Sequence, residues 1–406
     1  MKINVIGLGY IGLPTALIFA ANGVEVIGTD YNKDIVDTLA NGDITFKEEG
    51  LKELYIDATS KGVTFDTKYH KADCYIVAVP TPYNEITKKI ESNFVVQAVK
   101  EILKICDKNS IIVVESTVSP GTIKRDIEPL ISNSDFILNK DLFLAHAPER
   151  IIPGNMIYEL KHNSRTIGCD DKDTAQKIAD LYGKITDGKV ITTTIKTAEM
   201  SKVVENTYRA VNIAFANELL KLCDYTGIDV YELIRICNMH PRVKILNPGP
   251  GVGGHCIPVD PWFLVGDYPE HTKLINIAME TNSNMPYFVK TRIEEIMSEN
   301  NITSWKDVGL YGLSYKEDVD DYRESPTLQL LKILPESIST FDPMIEKSIV
   351  EGQTHDFNKF ISKCKLIVVM VKHSHLLNNQ EDIKNKILLD TQHCLNANFF
   401  NKKYNL

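Results

Sequence analysis

Within 406 residues, chemically competent side chains concentrate most densely in one loop, Gly249-Pro250-Gly251-Val252-Gly253-Gly254-His255-Cys256-Ile257-Pro258-Val259-Asp260-Pro261. A thiol beside a histidine in a glycine-rich loop can be exposed and nucleophilic, able to form a covalent bond with an electrophilic carbon. Asp260 follows Cys256 by four residues, and His255 adds a titratable neighbour. The competing reading of an isolated cysteine is an inert thiol in a structural loop. The other seven cysteines (74, 106, 169, 223, 237, 364 and 394) are scattered without a Cys-x-x-Cys pair. They read as small core hydrophobes, with neither a disulfide framework nor a metal site expected. Upstream, Lys202 and Asn206 stand i, i+4 in a helical stretch and so share a face. Exposed Lys and Asn at that spacing usually form a solvated helix face, but their place just after a dinucleotide-binding domain favours a functional role.

A second site of chemistry lies at the start. Gly7-Leu8-Gly9-Tyr10-Ile11-Gly12 follows a strand-like run and opens a helix. Gly7 allows a tight turn, Gly9 lets backbone approach a pyrophosphate, and Gly12 lets helix pack on strand. The helix N-terminus favours phosphate. Asp30 closes the next apolar run, where a carboxylate bonds both ribose hydroxyls and repels a 2′-phosphate, favouring NAD over NADP. Lys33 joins this cofactor set. A nicotinamide or flavin dinucleotide is expected; the alternative is a tight turn without a ligand. Pro80 and Thr81, then Ser116 and Thr117, follow later apolar runs and would line the same cleft.

These residues need a scaffold. Apolar runs at 3–6, 24–28, 75–79, 111–114, 143–145 and 166–167 alternate with helical stretches such as 10–22 and 94–106, predicting a doubly wound, largely parallel sheet. From 197 to 224 apolar residues keep helical spacing with no internal Pro or Gly. Further helix is expected at 230–238 and 274–297, around a 247–261 loop that Pro258 and Pro261 keep from being helical. Strands at 308–310, 337–341, 366–371 and 387–389 restore the alternation. The expected fold class is α/β: two Rossmann-like doubly wound domains, 1–190 and 301–406, joined by a central helical region, 191–300, with a long helix. Lys plus Arg number 45 against 54 Asp plus Glu, a net charge of −9. That balance disfavours nucleic-acid and anionic-membrane partners. With no apolar run long enough for a bilayer span and no leader-like start, a cytoplasmic protein is expected.

The motifs together resemble the UDP-glucose/GDP-mannose dehydrogenase family along essentially the whole chain. The resemblance rests on the first glycine motif, Glu115-Ser116-Thr117, Pro148-Glu149-Arg150, Ala198-Glu199-Met200-Ser201-Lys202 to Asn206, the Gly-Gly-His-Cys loop, and Gly312-Leu313-Ser314-Tyr315-Lys316 to Arg323-Glu324-Ser325-Pro326. The segments His240-Pro241-Arg242-Val243 and Val259-Asp260-Pro261-Trp262-Phe263 look most like the branch acting on UDP-N-acetyl-D-mannosamine. The resemblance implies an NAD-dependent, four-electron oxidation at carbon 6 of a UDP-N-acetylhexosamine for surface polysaccharide, by a homodimer whose C-terminal domain holds the UDP part. UDP-N-acetylglucosamine and UDP-glucose are the alternative substrates. It implies Cys256 as nucleophile, Lys202 and Asn206 as stabilisers of oxygen charge, and Asp260 and Thr117 as groups that activate or order water. Glu149 would serve substrate binding and hydrolysis. Arg150, Lys244, Gly251, Gly253 and Lys316 would bind substrate, Arg323 would meet the cofactor pyrophosphate, and Arg242 would reach the sugar-nucleotide site of its own or a neighbouring subunit. Where the glucose enzymes carry a second glutamate, this chain has Pro153, which weakens a two-glutamate scheme. A two-electron hydroxyacid dehydrogenase, and a non-catalytic sensor, are the rival readings; neither needs Cys256.

Overall fold

The structure is a computed structural model that describes residues 1–152, 154–335 and 338–406. Pro153 and Ser337, which entered the sequence reading, lie outside the described residues. The chain divides into two compact units, Met1–Glu205 and Asn206–Leu406.

The first unit holds an eight-stranded sheet of β1 (Lys2–Ile6), β2 (Glu25–Thr29), β3 (Thr64–Asp66), β4 (Cys74–Val77), β5 (Ser110–Val114), β6 (Leu142–His146), β7 (Arg165–Gly168) and β8 (Val190–Thr193). The strand order is β3-β2-β1-β4-β5-β6-β7-β8. Every pairing is parallel except the single β6–β7 bridge, which is antiparallel. The order reverses between β1 and β4, and ligands of open α/β sheets bind at such a switch point. The central strands β4 and β5 are buried along their whole length. Helices cover both faces of such strands, so they read as unbroken apolar runs. The helix Gly12–Ala21 packs its Leu13, Leu17 and Phe19 into the same core as Ile3 and Val5 of β1.

The long helix runs Ile195–Thr226, 32 residues, or about 48 Å at 1.5 Å per residue. It extends the expected 197–224 by a turn in total. In the second unit, helices Val230–Cys237, Asp260–Asp267, Lys273–Ser283 and Met285–Glu299 follow. Two expectations change here. Residues 274–297 form two helices, parted at Asn284, with Pro286 in the first turn of the second. Pro261 begins a helix instead of preventing one: it occupies the first turn of Asp260–Asp267, where its missing N–H costs nothing.

The second sheet comprises β9 (Val308–Tyr311), β10 (Ser339–Phe341), β11 (Leu366–Val369), β12 (Ile387–Asp390) and β13 (Lys402–Asn405). Its order is β10-β9-β11-β12-β13, parallel throughout, with its switch point between β9 and β11. Val308, Leu310, Leu366 and Val368 share one core, and Tyr311, Ile367 and Val369 face another on the opposite side.

Candidate active site

At the first switch point the three glycines differ in what surrounds them. Gly7 has φ of +90°, and a Cβ there would lie 2.5 Å from the Ala78 carbonyl oxygen. A Cβ on Gly12 would lie 1.8 Å from the Gly7 carbonyl oxygen. Both therefore serve the turn and the helix packing. Around Gly9 a Cβ would meet nothing within 4 Å. Its bare backbone faces open space, as close approach of a diphosphate requires. Tyr10 and Ile11 are half-buried and pack on the first unit's core.

Asp30 is buried, with Oδ2 accepting from the Leu8 N–H at 2.8 Å and Oδ1 from the Asn32 N–H at 2.9 Å. Each oxygen keeps a lone pair for a ribose hydroxyl. Lys33 is exposed and pairs with Asp37 at 3.1 Å, one turn along its own helix. Pro80 is exposed and Thr81 half-buried after β4. Ser116 stitches that segment to the end of β5, its hydroxyl donating to the Val79 carbonyl at 2.7 Å. This set fits a dinucleotide.

Thr117 is half-buried at the start of a loop fastened to the long helix. The Glu199 carboxylate accepts from the Gly121 N–H at 2.6 Å and the Ile123 N–H at 2.9 Å. Burial raises Glu199 above the ordinary carboxylate range while these two amides pull it back. Lys202, one turn on, is buried. Glu149 is buried too and touches the Arg165 guanidinium. Its neighbour Arg150 is engaged within the unit, donating to Thr166 Oγ1 at 2.8 Å and pairing with Glu205 at 2.9 Å.

In the second unit, Asn206 donates from Nδ2 to Asp260 Oδ2 at 2.7 Å, and both residues are buried. Asp260 sits one turn after Cys256, whose carbonyl accepts from the Asp260 N–H at 2.8 Å and the Val259 N–H at 3.2 Å. Cys256 is half-buried. Of the other cysteines, Cys74, Cys106, Cys169, Cys223 and Cys364 are buried and Cys394 is half-buried; burial pushes the thiols of Cys74 and Cys394 up to about 12, and those of Cys106, Cys169 and Cys364 to about 11. Those thiols stay protonated and inert at neutral pH.

The glycines ahead of Cys256 lie in close contact with the protein itself. A Cβ on Gly253 would lie 2.7 Å from Tyr315 Cβ and 2.8 Å from the Glu324 carbonyl oxygen, and one on Gly254 2.9 Å from the Tyr315 ring. Gly254 also has φ of +88° and donates its N–H to the Arg323 carbonyl at 3.1 Å. The loop thus lies against the segment that carries Lys316 and Arg323, and bulk is excluded by the protein itself. Gly251, with φ of +139°, packs on Pro326. His255 is exposed, with Nε2 3.6 Å from Asp321 Oδ2. Asp321 is buried and held by Arg323 through contacts of 2.9 and 2.6 Å. Lys316 is half-buried, its carbonyl accepting from Ser314 Oγ at 2.8 Å. Arg242 and Lys244 are exposed.

Three successive stretches of the chain match the domains of one family in order. Residues 1–186 match the NAD binding domain of the UDP-glucose/GDP-mannose dehydrogenase family, 196–284 its central domain, and 309–397 its UDP binding domain. The chain belongs to this family. It therefore carries the family's NAD binding domain over the residues that include the Gly7–Gly12 turn, and its UDP binding domain over residues 309–397. Among its relatives, the UDP-N-acetyl-D-mannosamine dehydrogenase of Methanococcus vannielii is 41% identical over 99% of this chain and 95% of its own length. That of Campylobacter jejuni is 39% identical, covering 94% and 97%. The solved UDP-N-acetyl-mannosamine dehydrogenase of Staphylococcus aureus is 39% identical with a TM-score of 0.89, covering all of this chain and 98% of that one.

Sequence reasoning passed over several residues that the dehydrogenase fold places beside the candidates. Arg165 touches Glu149, Glu199 ties down the Thr117 loop, and Asp321 faces both His255 and Arg323. Asp321 was within reach, since it stands two residues before Arg323. Arg165 carried no local signal.

Proposed function

We propose that this chain oxidises UDP-N-acetyl-D-mannosamine at carbon 6 to the uronate, using two NAD⁺ and a covalent intermediate on Cys256. The observation that carries this reading is the half-buried Cys256 thiol one turn ahead of Asp260, whose carboxylate holds the Asn206 amide. A simple alcohol oxidation needs no such cysteine. The relatives' activity supports the sugar.

NAD⁺, when bound, accepts the hydride of each oxidation. The first removes a hydride and a proton from the alcohol and leaves an aldehyde. The Cys256 thiolate adds to that carbon, and the resulting thiohemiacetal oxygen carries the charge that Lys202 and Asn206 oppose. Loss of the second hydride leaves a thioester. Water adds to the carbonyl, the carbon–sulfur bond breaks, and the carboxylate and thiolate separate with release of two protons. Glu149, Asp260 and Thr117 are the groups assigned to that water. A hydrogen-bond donor aimed at a developing oxyanion is worth roughly 2.7–4 kcal/mol of barrier. Asn206 retains a second N–H beyond the one given to Asp260, and that is the donor assigned to the task.

Lys316, Arg150, Lys244, Gly251 and Gly253 are assigned to the substrate and Arg323 to the pyrophosphate side. Exposed Arg242 is assigned to a sugar-nucleotide site. The segment 191–300 is read as the dimerisation and catalytic region between nucleotide-binding domains 1–190 and 301–406. The long helix exposes Tyr208, Phe215, Leu222 and Tyr225, which suits a homodimer. Among the described residues no helix is long and apolar enough to cross a membrane. A cytoplasmic enzyme supplying a uronate donor for surface polysaccharide fits these features.

The deciding experiment incubates the purified protein with NAD⁺ and UDP-N-acetylmannosamine, UDP-N-acetylglucosamine or UDP-glucose. The reading expects two NADH per UDP-N-acetylmannosamine consumed. One NADH per product would sink the four-electron scheme, and a preference for another sugar would replace the substrate.

A further inference from the structure

The first unit contains a buried ionic cluster of which the oxidation scheme uses Glu149 alone. Arg165 on β7 touches Glu149 and lies 3.6 Å from Glu115 Oε1. The three side chains are 3% exposed or less. Thr15, on the helix that opens at the glycine turn, donates to Glu115 Oε2 at 3.0 Å, and the Tyr182 hydroxyl donates to Oε1 at 3.2 Å. The Arg165 guanidinium also lies over the Tyr182 ring, 5.2 Å from its centre. Glu149 Oε1 accepts from the Arg150 N–H at 2.6 Å.

One guanidinium thus faces two carboxylates in a dry interior. Both carboxylates cannot ionise there without one excess negative charge, which burial penalises. Glu115 bears that penalty: burial pushes it up to about 7, against the pull of Arg165 and with the push of Glu149. The remaining titratable neighbours do not compete. Tyr182 is held well above its ordinary range by burial, Cys74 is pushed up to about 12, and buried His146 on β6 is pushed down to about 4. All three stay neutral through the neutral range, leaving the two glutamates and Arg165.

We propose that Arg165 and Glu115 are positioning residues for Glu149: Arg165 fixes the orientation of its carboxylate, and the charge on Glu115 sets how much of the guanidinium's field Glu149 receives. With Glu115 neutral, Arg165 serves Glu149 alone and holds its carboxylate tightly. With Glu115 ionised, the cation is shared and the Glu149 lone pairs are left more available to water. This deepens the proposed function and rests on Glu149 serving thioester hydrolysis.

The test is single-turnover release of uronate from the acylated enzyme between pH 5 and 9. With the thiol already acylated, its own ionisation drops out. The wild-type rate is expected to climb through an inflection near pH 7, the value to which burial brings Glu115. Glu115→Gln should lose that inflection and stay near the low-pH rate, about 3- to 10-fold below wild type at pH 8. Tyr182→Phe removes a hydrogen bond to the ionised carboxylate and should move the inflection upward. It keeps the test open if Glu115→Gln does not fold. Arg165→Lys keeps the charge but loses the planar fork; its hydrolysis should fall about 10-fold, with the KM for NAD⁺ within about 2-fold. Glu149→Gln should lose hydrolysis outright. If it hydrolyses at the wild-type rate, the assignment of Glu149 itself fails. If Glu149→Gln is inactive but Glu115→Gln and Tyr182→Phe keep the wild-type profile, or Arg165→Lys keeps the wild-type rate, the positioning proposal is wrong and the assignment stands.

Discussion

The Asn206–Asp260 hydrogen bond offers the sharpest separation between two roles for Asp260. The bond is 2.7 Å long and buried, with the amide donating to a carboxylate. A hydrogen bond to a charged group contributes about 1.5–3 kcal/mol and a neutral one about 0.5–1.5 kcal/mol. Asp260→Asn keeps an oxygen acceptor of the same shape and removes the charge. If Asp260 acts by holding Asn206, the substitution costs the difference, about 1–1.5 kcal/mol, or about 5- to 12-fold in rate at 1.4 kcal/mol per decade. If Asp260 itself receives a proton during turnover, the loss should reach about 10²–10⁴-fold. The backbone bond between Asp260 and Cys256 survives in the variant, so the turn carrying the thiol should persist. The assay is steady-state NADH formation with saturating NAD⁺, with kcat and KM for the UDP-sugar fitted separately. We expect a 5- to 12-fold fall, mostly in kcat, because the held amide acts on charge that develops during reaction. A fall of 100-fold or more in a folded protein would refute the positioning role. Unchanged kinetics would refute any functional coupling between the two residues.

Three further outcomes follow from particular contacts. Cys256→Ser should bind NAD⁺ as the parent does, measured by fluorescence titration, yet lose uronate formation by at least about 100-fold, because the hydroxyl is a far weaker nucleophile at neutral pH; near-normal uronate formation would remove the covalent route. Gly12→Ala would set a Cβ 1.8 Å from the Gly7 carbonyl oxygen, so the glycine turn must shift; NAD⁺ affinity should fall steeply, and unaltered affinity would mean that the turn is not the cofactor's seat. Folded Glu115 holds its proton up to about 7 from an ordinary value of 4.5, so its contribution to stability falls as pH rises through that window, where the unfolded chain has already released the proton. The melting temperature of Glu115→Gln relative to wild type should therefore rise from pH 5 to 7 and level off above; a flat difference would refute the shift.

What the sequence disclosed depended on how local the physical demand was. The Gly7–Gly12 turn and Asp30 were legible because a left-handed φ and two unavoidable close approaches each restrict the residue at one position. Buried strands such as β4 and β5 were legible because both faces are covered. The short strands β3, β8 and β13 were not, since Thr64–Asp66, Val190–Thr193 and Lys402–Asn405 are partly exposed and polar or mixed in composition. The helix break at Asn284 was hidden because Pro286 falls in a first turn that tolerates it. Arg165 escaped notice for a deeper reason. It lies 16 residues from Glu149 and 50 from Glu115 in sequence. Only the lateral order β5-β6-β7 brings the three together.

The two sheets show how the same backbone device can be turned to different ends. Gly7, at φ +90°, donates its N–H to the Thr29 carbonyl at 2.8 Å; Gly312, at φ +94°, donates to the Phe341 carbonyl at 2.8 Å. The next residue donates to an aspartate closing the neighbouring strand, Leu8 to Asp30 at 2.8 Å and Leu313 to Asp342 at 2.6 Å. Each aspartate also accepts from the amide two residues on, Asn32 or Met344. The likeness is faint in sequence because the device constrains only one glycine and one carboxylate. The difference lies in what else the carboxylate holds. Asp342 Oδ2 takes a further amide from Ser314 at 2.9 Å and faces His373 Nε2 at 3.3 Å. His373 Nδ1 accepts from the Asp318 N–H at 3.0 Å, so the ring's proton sits on Nε2 and is directed to the carboxylate. Oδ2 of Asp342 is thereby committed within the protein, whereas Oδ2 of Asp30, which takes the Leu8 amide alone, retains capacity for a ribose hydroxyl. The fully buried imidazole of His373 thus bridges Asp342 Oδ2 and the Asp318 N–H, and so pins the Ser314–Asp318 segment that carries Lys316.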